Sequence, residues 1–321
     1  AGKNTSINSS EYTAATITAL KLSENKVVIL HGTGGILSES SLTATICTID
    51  GTTITKNSST KLGETNTGDK ISAIALKDNK VFIAHSYSIS HYLHYTICEI
   101  NNNEITVIAS SSLSNLALSG YYQISITLLT DTKIVVVYGN NQKHLYGLIC
   151  DINTDITELI TGVDTRLSTE LNTGIYQPAV KINNDEVSIT HYLGKNYLLY
   201  NTICKIKGME IIVENSIQLL DTSLLSGYGI SAILLDNNYI CISYGYNANN
   251  TNYPNLYLLC TSIKYGVQII KSPLEEVLGV AKTKGREGQI VQVYIPKLSE
   301  YICTENENRI ITENGEEIRN E

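Results

Sequence analysis

Six times along the chain a cysteine closes a short apolar tripeptide, and the copies fall about fifty residues apart. They are Thr45-Ile46-Cys47, Thr96-Ile97-Cys98, Leu148-Ile149-Cys150, Thr202-Ile203-Cys204, Leu258-Leu259-Cys260 and Tyr301-Ile302-Cys303. A fixed period of this size marks one supersecondary unit copied along the chain, whose apolar face is buried only by stacking against its neighbours. The fold must therefore be a repeat architecture.

Each unit reads as four strands. The second is the clearest: Val27 to His31, Val81 to His85, Ile134 to Tyr138, Val187 to His191, Ile240 to Tyr244 and Ile290 to Tyr294. A nearly continuous apolar run of this length suits a strand covered on both faces. A first strand precedes it (Ile17 to Leu22, Ile71 to Leu76) across a tight polar turn such as Ser23 to Lys26 or Asp78-Asn79-Lys80. Asn and Asp suit such turns because they tolerate left-handed backbone and cap it locally. The cysteine lies on the third strand. A second short turn (Asp50-Gly51-Thr52, Asn101-Asn102-Asn103) leads to a fourth strand around Ile54, Ile105, Ile156, Ile211, Ile269 and Ile310.

Four antiparallel strands in six units predict an all-β fold, a six-bladed β-propeller of four-stranded antiparallel blades. The blades run approximately 11–57, 69–108, 121–160, 176–215, 228–271 and 277–316, within a propeller domain of 11–321. Residues 1–10 form an N-terminal extension that supplies a ring-closing strand. A linear β-solenoid fits less well, since its repeats need fewer strands. The last unit is the weakest match, and five blades followed by a small C-terminal β module is the alternative.

Composition agrees. Trp is absent, Phe and Met occur once each, and Tyr occurs 21 times, so tyrosine is nearly the whole aromatic complement. Tyrosine and β-branched residues favour strands. A net charge of −8 with no Lys/Arg cluster argues against nucleic acid, whose binding rests on phosphate neutralisation. No apolar run approaches the length of a membrane-spanning helix, so membrane insertion is not expected. The chain starts at Ala1 with no signal-peptide pattern, and a processed or trimmed terminus is expected. The repeated cysteines, at equivalent places in different units, are too far apart for disulfides and read as buried small hydrophobes. Cys241 is an odd seventh in another strand. Unpaired thiols imply folding in a reducing compartment or an anaerobic producer.

Loop length points to a working surface. First-to-second and third-to-fourth connections are short, whereas second-to-third connections (32–42, 86–94, 139–146, 192–199, 245–256) and crossovers are long and irregular. Function concentrates on such loops. The expected ligand-binding residues are Tyr87, His91, Tyr92, His94, Tyr192, Asn196, Tyr197, Tyr246, Asn250 and Tyr253. Tyrosine offers a flat apolar face with a polar tip, and Asn adapts its amide to donors or acceptors. That combination suits a sugar ring or a polar protein surface.

Other motifs read as structure. The position filled by His31, His85, Tyr138, His191, Tyr244 and Tyr294 anchors a strand end. His91-Tyr92-Leu93-His94 lacks further ligands for zinc. Asp151 to Asp155 resembles the start of a calcium loop but falls where every unit has a hairpin turn. Gly32 to Gly35 opens no helix. There is no nucleophile elbow, and a Trp-free chain has no intact sialidase Asp-box. No catalytic residue, metal or cofactor is expected.

The strand, turn, Val-rich strand and Gly51-Thr52-Thr53-Ile54-Thr55 pattern resembles repeats in tail and tail-fibre-like proteins of bacteriophages. The stretch from Gly279 to Pro296 is similar to a segment that ends many phage tail proteins of clostridia and related low-GC Gram-positive bacteria. The resemblance implies a component of a virion or phage-tail-like particle that folds in the bacterial cytoplasm and contacts the host surface. It transfers no binding residue. The expected function is non-enzymatic recognition of a cell-surface glycan or surface protein through the long-loop face, with other particle subunits or copies of the chain as further partners. The alternatives are a self-associating structural subunit and a glycan-cleaving enzyme on the same scaffold.

Overall fold

The computed structural model describes residues 6, 13–33, 41–63, 67–87, 92–118, 123–153, 158–168, 176–194, 198–220, 229–236, 239–246, 255–262, 268–273, 310–311 and 317–318. These form five four-stranded antiparallel meanders, the blades of a β-propeller. Blade 1 holds β1 (Thr13–Lys21), β2 (Lys26–Thr33), β3 (Ser41–Asp50) and β4 (Thr53–Lys61). Blade 2 holds β5 (Thr67–Ala75), β6 (Lys80–Tyr87), β7 (Tyr92–Asn101) and β8 (Glu104–Ala117). Blade 3 holds β9 (Ser125–Leu128), β10 (Lys133–Gly139), β11 (Leu145–Ile152) and β12 (Leu159–Thr161), with β13 (Thr165–Arg166) also pairing β11. Blade 4 holds β14 (Ala179–Asn183), β15 (Glu186–Leu193), β16 (Leu198–Lys207) and β17 (Glu210–Gln218). Blade 5 holds β18 (Ile230–Asp236), β19 (Tyr239–Tyr246), β20 (Asn255–Ser262) and β21 (Gln268–Pro273).

Among the described residues the blade count is five rather than six. Most of the last unit, including Tyr294, Cys303 and the segment from Gly279 to Pro296, lies outside the described residues, as does nearly all of 1–10. What is described beyond blade 5 is a two-stranded pair, β22 (Ile310–Ile311) with β23 (Glu317–Ile318). That arrangement matches the alternative of five blades with a small C-terminal β element.

Strand alternation explains how the blades stack. In β10, Ile134, Val136 and Tyr138 pack with Phe82, Ala84 and Ile97 of blade 2. Their neighbours Val135 and Val137 point the other way, into Val187 and Ile189 of blade 4. All five of these residues are fully buried, which is why the second strand reads as a continuous apolar run. Each such side chain contributes about 1.5–3 kcal/mol on burial. Equivalent seams join blade 1 to blade 2 through Val28, Leu30 and Ile83, and blade 4 to blade 5 through Tyr192, Ile240 and Tyr244.

Polar ties complete the stacking. At the short-turn end, the Lys that closes the first turn reaches the next blade. Lys26 Nζ donates to Asn102 O at 3.1 Å, and Lys133 Nζ to Gly208 O at 3.1 Å. The acceptors lie on two-residue hairpins whose first residue has positive φ, 57° at Asn102 and 63° at Gly208, so Asn and Gly there follow from geometry. Inner strands are linked by Thr18 Oγ1 donating to Ile71 O at 3.2 Å, and by Ala179 N donating to Ser125 Oγ at 3.0 Å.

The cysteine register holds for four blades. Cys47, Cys98, Cys150 and Cys204 are buried, and burial pushes the thiols of Cys98, Cys150 and Cys204 up to about 12. They are inert small hydrophobes. Blade 5 departs from this. A register shift in the third-to-fourth strand pairing falls at Ile46/Cys47, Ile97/Cys98 and Ile203/Cys204, but at Cys260/Thr261. The equivalent of the repeated cysteine is therefore Thr261, and Cys260 occupies the isoleucine position. A one-residue slip turns the side chain to the other face, which corrects the expectation that Cys260 shares the place of the others.

Candidate functional site

A short chain of imidazole and two hydroxyls is repeated within each of three blades. His31 Nε2 meets Thr45 Oγ1 at 3.3 Å, which meets Ser59 Oγ at 2.9 Å. His85, Thr96 and Ser110 repeat this at 3.0 and 3.2 Å, and His191, Thr202 and Ser216 at 2.7 and 2.9 Å. The histidines are at most 2% exposed, so burial lowers their pKa, to about 4 for His85 and His191. They are neutral strand anchors, as the sequence pattern implies. In blades 3 and 5 the ring is Tyr138 or Tyr244, and the threonine becomes buried Leu148 or Leu259. Imidazole and hydroxyl change together, because an imidazole acceptor buried without a donor is costly.

Blade 3 finds another partner for its phenol. Tyr138 OH donates to Asp164 Oδ1, Ser114 Oγ donates to Asp164 Oδ2 at 2.7 Å, and the two hydroxyls lie 3.1 Å apart. Burial, followed by the Asp164 contact, raises the Tyr138 pKa. The acid–phenol pair lies within blade 3, and Ser114 of β8 ties blade 2 to it; with Tyr138 fully buried its hydroxyl has no access to a substrate.

On the long-loop side, three of the buried anchors back a more exposed ring on the third strand. His94 stacks on His85 with centroids 6.1 Å apart, Tyr146 on Tyr138 at 6.0 Å and Tyr200 on His191 at 6.3 Å. Each pair is directly opposite across the antiparallel ladder, the arrangement in which rings stabilise one another. His94, Tyr146 and Tyr200 are all half-buried. Burial lowers the His94 pKa. The Tyr200 hydroxyl donates to Gln218 Oε1 at 3.0 Å, and Gln218 Nε2 donates to Leu220 O at 2.7 Å.

The seam between blades 2 and 3 carries the fullest set of exposed groups. Leu118 pairs with Asn140, and Asn141 N donates to Ala117 O at 2.8 Å, so the loop after β10 is pinned to the end of β8. Tyr92, 40% exposed, pairs with Ala117 on that strand. Tyr95 and Tyr146 both pack against the core of this seam, and Tyr95 stacks on Phe82 at 5.9 Å. Exposed Arg166 lies opposite Tyr146, its Nε donating to Ser168 O at 2.7 Å. Asn141, Gln142 and Lys143 form an exposed tip, with Lys143 at a φ of 64°. Two rings, a guanidinium and amides thus gather at one seam.

Of the expected binding residues, Tyr92 and His94 lie on strand β7 rather than in a loop, and they alternate with Leu93 and Tyr95, which face blade 3, so they sit on the blade 1 side of that strand. Tyr192 is closed to a ligand. It is fully buried against Ile240, Ile242 and Tyr244, because β15 continues to Leu193 and turns its ring into the seam. The side chains of Tyr87 and Tyr246, and all of His91, Asn196, Tyr197, Asn250 and Tyr253, lie outside the described residues. The residues not anticipated are Tyr146, Tyr200 and Arg166. The position four before the repeated cysteine reads Thr43, His94, Tyr146 and Tyr200, a signal open to sequence reading. Among the described residues no group of three or more His, Cys, Asp or Glu is placed to hold a metal.

No protein-family model matches the sequence, and no curated protein matches it. Solved structures do match in fold. The SapL1 lectin in complex with α-methyl fucoside is 12% identical, covering 83% of this chain and 81% of that one with a TM-score of 0.51. The periplasmic gluconolactonase of Pseudomonas aeruginosa is 10% identical, covering 80% and 70% with a TM-score of 0.55. The Hadza microbial sialidase Hz136 is 7% identical, covering 83% and 59% with a TM-score of 0.52. These likenesses establish the propeller fold, which sugar-binding and sugar-processing proteins share.

Proposed function

We propose that this propeller is a non-catalytic carbohydrate-recognition module, reading a cell-surface glycan through the long-loop end of its blades. The row of half-exposed rings, each held by a buried ring behind it, carries this reading. Fixed rings bind a sugar face at little entropic cost, and Arg166 with the Asn141-Gln142 tip supplies polar groups for its hydroxyls. Repetition of the platform around the blades favours avidity for repeating polymers. The lectin of the same fold, solved with a fucoside, supports the ligand class. The resemblance to phage tail proteins supports a place on a virion or phage-tail-like particle, where such a module attaches to the host.

The test is binding of the purified chain to a glycan array and to whole Gram-positive cells, beside Tyr146→Ala and Arg166→Ala variants. The expected result is saturable binding that each variant weakens about 10-fold, equivalent to about 1.4 kcal/mol. Absence of binding to any glycan or cell, or binding indifferent to both changes, overturns the assignment. Antibody labelling of particle tips tests the attachment role separately.

A further inference from the structure

Blade 5 carries a feature that no other described blade shares. Because Cys260 is shifted into the isoleucine register, it lies directly opposite Cys241 across the β19–β20 ladder. The corresponding pairs are Val28 with Ile46, Phe82 with Ile97, Val135 with Ile149 and Ser188 with Ile203. Directly opposed residues of an antiparallel pair have Cα atoms about 4.5–5.5 Å apart, inside the span a disulfide bridges. Both thiols are half-buried, unlike the four repeated cysteines, which are buried. The neighbouring Cys260 thiol draws Cys241 toward thiolate. This face is the one that blades 1 to 4 each turn toward the following unit.

We propose that Cys241 and Cys260 form a cross-strand dithiol that is oxidised reversibly to a disulfide by low-molecular-weight disulfides. The Cys241 thiolate attacks one sulfur of the oxidant. That S–S bond breaks, one small thiolate leaves, and Cys241 is held as a mixed disulfide. Cys260 loses its proton to solvent, and its sulfur attacks Cys241. The protein disulfide forms and the second small thiolate departs. Two protein thiols are oxidised and one small disulfide is reduced to two thiols. Strands β19 and β20 are consecutive, so the bond staples the two strands on either side of the 247–254 connection. A chain folded with free thiols thereby gains a covalent brace on meeting oxidising surroundings.

The test is incubation of the native full chain with a glutathione redox series, then alkylation and peptide mapping by mass spectrometry. The expected product joins Cys241 to Cys260 within one chain, while Cys47, Cys98, Cys150 and Cys204 stay reduced. Cys241→Val and Cys260→Ile place at each site a residue that other blades use there, so both variants keep the fold. Each is expected to take up one glutathione on the remaining thiol and to form no cross-link. A bond from either residue to Cys303, a chain-to-chain disulfide, simultaneous reaction of the buried cysteines, or no cross-link even in fully oxidised glutathione would overturn the proposal.

Discussion

Lowering the pH from 7.5 to 5 should destabilise this protein sharply through two histidines. His85 and His191 have folded-state pKa values near 4 because burial removes the solvation a charged imidazole needs. In the unfolded chain each returns to about 6.5. The unfolded state therefore binds more protons between these values, and stability falls as pH falls. Their contribution is complete above about pH 6.5, declines through the interval, and changes no further below about pH 4. At pH 5 the difference is about 2 kcal/mol for each histidine, or about 4 kcal/mol together. Domains commonly have 5–15 kcal/mol in total, so this is a large share. His31, lowered in the same direction by burial, adds to it. The assay is urea unfolding at pH 7.5, 6.0 and 5.0 at constant ionic strength, for wild type and for His85→Gln with His191→Gln. Glutamine keeps a polar partner for Thr96 and Thr202 but does not titrate. The wild type should lose about 4 kcal/mol more than the double variant over this range. A wild-type profile flat between pH 7.5 and 5, or one that the double variant copies, refutes the reasoning.

Two further outcomes follow from packing between and within blades. A Cβ at Gly162 would lie 2.4 Å from Met209 O on the neighbouring hairpin, so Gly162→Ala must displace backbone and should cost about 1–3 kcal/mol in denaturant unfolding. The coupled identity of anchor and hydroxyl predicts that His191→Tyr and Thr202→Leu are each destabilising alone, but less so together than their sum. A double-mutant cycle should return a favourable coupling of about 1 kcal/mol, and strict additivity would dissociate the two positions.

Much of the propeller was legible because its signals are local. Apolar second strands, Asn/Asp/Gly turns and a fixed period each depend on a few adjacent residues, so the four-stranded meander and the short-turn end follow from reading along the chain. The His/Tyr anchors were legible too, and so was their partner in principle, since Thr-Ile-Cys accompanies His while Leu148 accompanies Tyr138. The candidate site was less accessible. Tyr192 looked like a loop residue because its strand, read as ending at His191, continues two residues further, and Tyr146 passed unnoticed because nothing local sets a half-exposed ring apart from a buried one.

The cysteines mark the boundary between the two kinds of knowledge. The sequence by itself determined that a repeated strand exists and where its copies lie along the chain. Only the tertiary structure decided which face each cysteine takes, because side chains in a strand alternate and a shift of one residue exchanges the two seams. That shift is invisible to spacing alone, which varies by several residues between units through the long loops. Cross-strand pairing fixes it, leaving four cysteines inert in seams and setting Cys260 beside Cys241.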